Sequence, residues 1–248
     1  LAANKIYNIS KTVAASGSGG ALASVTADDI GKVIGANGQI YASVTAAQAA
    51  GTTACAIIAY VGSATGEASP YTHGLAIAMK DANSGSYCYW SPSNSDESLT
   101  NYKNITAVTT SQSGLTNSKT SGFDNATNYP AFYHALHNTI TEGDGISKGA
   151  PASGTTGWFL PSMYQWNQIV KGISGKDDDL SYSKNDNYKA SALNTKITAA
   201  GGTGLQADYY WSATEFDYDG AWGFGAYGGD ASYGSKDYLS FVRAVFAF

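Results

Sequence analysis

Residues 209–248 read YYWSATEFDYDGAWGFGAYGGDASYGSKDYLSFVRAVFAF, and no other stretch says more about the fold or the function. The two ends read as β-strand and the middle does not. Between Phe216 and Phe241 nearly every residue is Gly, Tyr, Asp, Ser, Ala or Phe, and Trp222 and Lys236 are the only long or bulky exceptions. A packed strand pair calls for alternating Val, Ile, Thr and Leu. This middle has the alphabet of a paratope instead: Tyr for large rigid contact area, Ser and Gly for adaptable fit. It points to a binding surface held by a rigid scaffold.

Working outward, the 248 residues suffice for a sizeable core. Only 13% are charged, the formal net charge is −5, and Lys and Arg never run together, which argues against nucleic acid or an anionic membrane as partner. The longest apolar run, Ala54 to Val61, has the length of a buried strand and not of a membrane span. The two cysteines, Cys55 and Cys88, are too few for a disulfide scaffold and read as separate small buried side chains; export would allow them to pair.

Residues 1–30 read as a linker and the remnant strand of a preceding segment, with ASGSGGALAS (15–24) as the flexible part. The chain begins at Leu1 without a signal-peptide pattern, which fits a mature or trimmed fragment. The domain proper is expected over 31–248. GKVIGANGQIYASV (31–44) carries the Asn37-Gly38 signal of a hairpin. TAAQAAG (45–51) is a short helix, and ACAIIAYVGS and HGLAIAMKDA are strands. The polar stretch 91–124 reads as an irregular excursion. Helices are expected at 129–140, with Phe132, Leu136 and Ile140 facing the core, and after Pro161-Ser162, with Met163, Trp166, Val170 and Ile173 inward. A third follows at 190–200. The pattern is α+β, with mixed or antiparallel strands, long irregular loops, and helices set to one side.

GWFLPS (157–162) followed by Gln165-Trp166, then YYWSATE, Ala221-Trp222 and a terminal VRAVFAF resembles the variable proteins of bacterial and phage diversity-generating retroelements. GQIYASVTAAQAAGTTACAIIAYVGSATG (38–66) and HGLAIAMKDA resemble the N-terminal part of gut-type members. The resemblance implies a C-type-lectin-like fold over about 31–248 and a variable region over about 209–248. In that family a reverse transcriptase corrupts template adenines. The diversified codons then cannot yield Glu, Gln, Lys, Met or Trp. Residues 216–241 obey that rule except at Trp222 and Lys236, where the family has fixed residues. The calcium-holding Glu-Pro-Asn or Gln-Pro-Asp triplet of sugar-binding lectins is absent, and WSATE stands where such lectins have Trp-Asn-Asp. Formylglycine-generating enzymes of the same fold need late cysteines, and none follows Cys88.

The expected contact residues are Phe216, Asp217, Tyr218, Asp219, Gly220, Gly223, Gly225, Tyr227, Gly228, Asp230, Ser232, Tyr233, Gly234, Ser235, Asp237, Tyr238 and Ser240. Trp158, Trp166, Trp211, Trp222 and Arg243 are scaffold, with Arg243 on the outward face or paired with an acid such as Glu215. The expected partner is a protein or glycan, met at a bacterial cell surface or a phage particle. The domain would be tethered through a preceding segment, with no nucleic acid, no membrane insertion, no cofactor and no catalysis. The alternatives are a structural pilin-like or decoration module without hypervariable binding, and an enzyme of the same fold, for which the sequence shows no catalytic dyad. His73, His134 and His137 read as structural; His134 and His137 share a helix face but lack a third ligand. Asp177, Asp178, Asp179 and Asp186 lack the alternation of a calcium loop and read as a solvated turn.

Overall fold

The computed structural model describes residues 21–93, 95, 97–151, 153–182 and 187–248. The strand expected near the N-terminus, most of the linker and Asp186 lie outside them. The centre is a five-stranded antiparallel sheet of order β10-β4-β3-β1-β2. It is built from β1 (Val33–Gly35), β2 (Ile40–Tyr41), β3 (Ala54–Val61), β4 (Gly74–Ala78) and β10 (Val245–Ala247). Asn37-Gly38 makes the β1–β2 turn, with Gly38 at φ 76°. β3 reads as a continuous apolar run because both its faces are covered: Ala54 to Ala59 are all fully buried.

One face of this sheet carries α4 (Met163–Ser174) and α5 (Asn187–Ala200); Met163, Trp166, Val170 and Ile173 join Leu75, Ile77, Leu193 and Ile197 in a single core. Ser162 caps α4, accepting from Gln165 N at 3.2 Å while the Gln165 side chain accepts from Ser162 N at 2.9 Å. The opposite face carries α3 (Pro130–Leu136), whose Ala131, Phe132 and Ala135 pack with Ile58, Ala76, Trp90, Trp158 and Phe246. The helices therefore flank both faces, where the sequence predicts one. α3 is also shorter than expected: Asn138 turns to φ 40°, Ala135 replaces Leu136 as the buried position, and Leu136 is half-exposed. Two short helices complete the set, α1 (Val44–Ala49) and α2 (Gly114–Ser118), the latter inside the polar excursion.

Residues 21–30 pack on the domain, with Leu22 buried and Ala21 bridged to Gln39, although their composition reads as linker. Both thiols are unpaired and buried, and burial pushes each up to about 12. Among the described residues no helix is long and apolar enough to cross a membrane. The loop after α4 is less free than a solvated turn: Asp179 accepts from Asn167 (2.8 Å) and Lys171 (2.9 Å), and Asp178 pairs with Lys189 (3.0 Å).

Candidate binding face

Two smaller sheets complete the molecule. β5 (Cys88–Tyr89) pairs with β9 (Leu239–Ser240), and β6 (Tyr209–Glu215), β7 (Gly220–Gly225) and β8 (Asp230–Ser235) form an antiparallel sheet in that order. The Gly/Tyr/Asp-rich middle is thus partly regular strand, against the sequence reading. Alternation explains how a strand pair without aliphatic residues holds. Trp222 opposes Tyr233 and Phe224 opposes Ala231. Trp222, Phe224 and Ala231 join the core, where Phe224 stacks on Trp166 with centroids 5.1 Å apart. The apolar weight that Val or Ile would supply comes from aromatics on one face only.

The other face is nearly bare. Gly223 lies between Trp211 of β6 and Ser232 of β8, and Ala221 opposes Gly234. A Cβ on Gly223 would lie 2.7 Å from the Tyr210 carbonyl oxygen, and one on Gly225 would collide with Asp230 Oδ1, so both glycines are required by close approach. A Cβ on Gly234 would find only ordinary contacts, 3.7 Å from Tyr238 and 4.0 Å from Trp211. The result is a hollow of about 180 Å³ floored by Gly223, Ser232 and Gly234, with Tyr209, Trp211, Tyr233, Tyr238 and Ser240 around it.

Two further hollows share Tyr233, whose ring lies on the Trp222 side of the edge strand β8. One is lined by Phe216, Asp217, Asp219, Gly220 and Ser235, the other by Lys103, Asn104, Ile105, Tyr182, Phe216 and Trp222. Tyr233 stacks on Phe216 at 3.7 Å and on Tyr182 at 5.6 Å, with interplanar angles of 5° and 13°. At the far end Tyr227 shares a 2.6 Å hydrogen bond with Tyr209, and that bond raises its hydroxyl to about 12. Tyr218, Tyr227, Tyr233 and Tyr238 are 60%, 49%, 42% and 65% exposed.

The expected contact residues divide. Tyr218, Asp219, Tyr227, Tyr233, Asp237 and Tyr238 are exposed; Phe216, Asp217, Ser232, Gly234 and Ser235 are half-buried. Gly220, Gly223, Gly225, Gly228, Asp230 and Ser240 are buried. The last six build the face more than they present side chains from it, because strand pairing and close approach consume their surface. Tyr182, Ile105, Lys103 and Asn104 line the hollow on the Trp222 side of the edge strand and were not anticipated; they come from loops distant in sequence and carry no local signal.

The supporting residues are buried. Trp158, Trp166, Trp211 and Trp222 are each under a tenth exposed, and every indole N–H finds a backbone carbonyl: Lys148, Trp211, Cys88 and Tyr102 in turn. Trp90, unremarked in sequence, does the same to Ser212 O. Lys236 is fully buried. Its Nζ contacts Glu215 Oε1 and donates to Tyr218 O (2.9 Å) and Ser95 O (2.5 Å), and it lies 5.0 Å from the Trp90 ring. Arg243 is also buried and neither faces outward nor meets Glu215. It binds Asp81 (2.7 Å) and the carbonyls of Ala78 and Thr203, and Tyr210 donates to the same carboxylate at 3.0 Å. A guanidinium buried just before β10 needs such a cage, since an unpaired buried charge is very costly.

The histidines go separate ways. His134 Nδ1 meets Thr139 Oγ1, and its pKa is lowered chiefly by burial; His137 faces Asp124 at 2.7 Å. Among the described residues no three His, Cys, Asp or Glu side chains gather as a metal site.

No family model matches the chain, and no curated protein matches it. A similar solved structure is the crystal structure of a fimbrial protein from Bacteroides ovatus, with a TM-score of 0.55 and 19% identity, covering 88% of this chain and 48% of that one. The chain thus spans about half the length of that protein. At this identity the likeness is one of fold.

Proposed function

We propose that this chain is a non-enzymatic ligand-display domain of a bacterial surface assembly or phage particle, acting in attachment or cell–cell contact. Its binding surface is the bare face of β6–β8 with the turns around it. The observation that carries this reading is the set of exposed tyrosines at the glycine-floored hollow and its edges, with Tyr238 on its wall, Tyr227 bonded to Tyr209 of that wall and Tyr233 on the edge strand, mounted on indoles and ion pairs that are themselves buried. Tyr offers large rigid contact area at little entropic cost, and such aromatics anchor interfaces.

The finer reading is a variable protein of a diversity-generating retroelement with a C-type-lectin-like fold. Its support is the residue alphabet of 216–241. The two residues that break the alphabet, Trp222 and Lys236, are 1% and 0% exposed, as fixed supports should be. The ligand is a protein or glycan bound without calcium. The fimbrial protein of similar fold favours a second reading, a structural pilin-like module.

Two observations separate them. Flanking DNA should contain a near-copy of the 209–248 coding region with adenines at the codons for exposed positions, beside a reverse transcriptase gene. Sibling genes with an unchanging C-terminus would instead support the structural module. In binding, the domain should be captured by a protein or glycan library, and Tyr218, Tyr233 and Tyr238 changed together to Ser should abolish capture. Capture unaffected by these changes would sink the display reading.

A further inference from the structure

The hollow floored by Gly223 and Gly234 says what kind of group it receives. At about 180 Å³ it lies below the roughly 300–1,000 Å³ of pockets that enclose a free small molecule. It is sized to anchor one side chain of a larger partner. Its walls are the rings of Tyr209, Trp211 and Tyr238, and its polar lining is limited to Ser232, Ser240 and the tyrosine hydroxyls. A sugar ring could lay its C–H face on such walls, but few of its hydroxyls would find partners there.

The sign of the surroundings adds to this. Asp217 and Asp219 line the adjoining hollow, which shares Tyr233 and Gly234 with the first. Asp237 precedes Tyr238 and is exposed, holding the Ser235 hydroxyl at 2.6 Å. Asp208 precedes Tyr209 and accepts from Tyr87 at 3.0 Å. Neither hollow is lined by a cation among the described residues. Lys103 borders only the third, and Lys236 beneath the face is held in its own pair with Glu215.

We propose that this face binds a basic segment of a protein partner, with an arginine side chain seated in the glycine-floored hollow. A guanidinium stacks on aromatic rings and is less strongly hydrated than an ammonium, so arginine suits these walls better than lysine. Asp217, Asp219 and Asp237 supply the complementary charge, setting partner choice and on-rate more than the depth of binding. The inference rests on the display reading and names the ligand class for that same face.

The test uses the whole 248-residue chain and fluorescein-labelled peptides Gly-Ser-Arg-Gly-Ser-Arg-Gly-Ser-Arg, with Lys or Glu in place of Arg, titrated by anisotropy at low and high salt. The Arg peptide should bind best, Lys less, Glu not at all, with salt weakening the first two. Tyr238→Ser, and separately Asp217→Asn with Asp219→Asn and Asp237→Asn, should each weaken Arg-peptide binding by about tenfold or more. A control with Asp28→Asn, Asp124→Asn and Asp144→Asn changes net charge equally outside this sheet and should leave binding within about twofold of wild type. Circular dichroism melts of each variant verify folding. Absent Arg-peptide binding, equal preference for the Lys peptide, or equal loss in the control overturns the proposal. If the chain instead binds neutral glycans on an array and Tyr238→Ser abolishes that, the display reading stands and the basic-partner inference falls. If no probe depends on Tyr238, both fall.

Discussion

Lys236 and Glu215 meet, both fully buried, behind the turn that carries Tyr218. The same ammonium holds the carbonyl of Tyr218, at the β6–β7 turn, and that of Ser95, in a loop more than a hundred residues away. The pair fastens the β6–β7 turn to the body of the domain.

Removing one partner should therefore be severe. Lys236→Met leaves Glu215 buried against an apolar group and should cost about 3–5 kcal/mol. Pairing it with Glu215→Leu should restore much of the loss, since the uncompensated charge is gone. Urea melts of both variants check this; a single-variant loss under about 1 kcal/mol would show that the pair does not hold the turn.

Exposed and supporting aromatics should separate cleanly. Tyr218→Ser and Tyr238→Ser should each shift stability by no more than about 0.5 kcal/mol. Trp166→Ala and Trp222→Ala should each cost about 3–5 kcal/mol through the cavity left in the core. Phe216 and Tyr233 belong to neither set, because their stacked rings also pack on Trp222, and should fall between. Comparable melting shifts for tyrosines and tryptophans would contradict the division.

The two glycines of the hollow should respond oppositely. Gly223→Ala forces a Cβ toward the Tyr210 carbonyl and should cost about 1–3 kcal/mol. Gly234→Ala meets only ordinary contacts, should stay within about 0.5 kcal/mol, and should narrow the hollow. Thermal denaturation with ligand titration distinguishes a folding defect from a filled site.

Acid should loosen the loop that carries Tyr182. Partial burial raises Asp179, but hydrogen bonds from Asn167 and Lys171 outweigh it, and its pKa lies below the ordinary 3.8. A depressed carboxylate contributes stability that is present above its unfolded pKa and lost as pH falls through its folded value. The window is thus below pH 3.8. Because the side chain is 44% exposed, the contribution is screened to about 0.5–1 kcal/mol. Asp179→Asn should flatten the stability profile in that window; an unchanged profile would remove Asp179 from this role.

Much of the frame was legible in sequence. ACAIIAYV announces a strand covered on both faces, Asn37-Gly38 its neighbouring hairpin, and Ser162 with Gln165 the start of α4. These signals are local, and local patterns survive in a single sequence. β7 and β8 were not legible, because their stability comes from aromatics on one face while the other face is stripped. Asp81 as the partner of Arg243 lies 162 residues away, and no spacing rule reaches that far. Tyr182 was hidden for the same reason: its place beside Tyr233 follows from its bridge to Ala231 of β8, about fifty residues on, not from its neighbours in the chain.

β10 follows β6–β9 in the chain and belongs to the central sheet, with Val245 opposite Ile77 and the Phe248 carbonyl accepting from His73 and Gly74. Any shift of reading frame between residues 216 and 240 would rewrite not only the face but also this strand and Arg243. A miscopied gene would therefore yield a chain that cannot close its sheet. Folding thus discriminates between messages: a single substitution at an exposed position such as Tyr238 leaves the central sheet whole, and a garbled C-terminus does not.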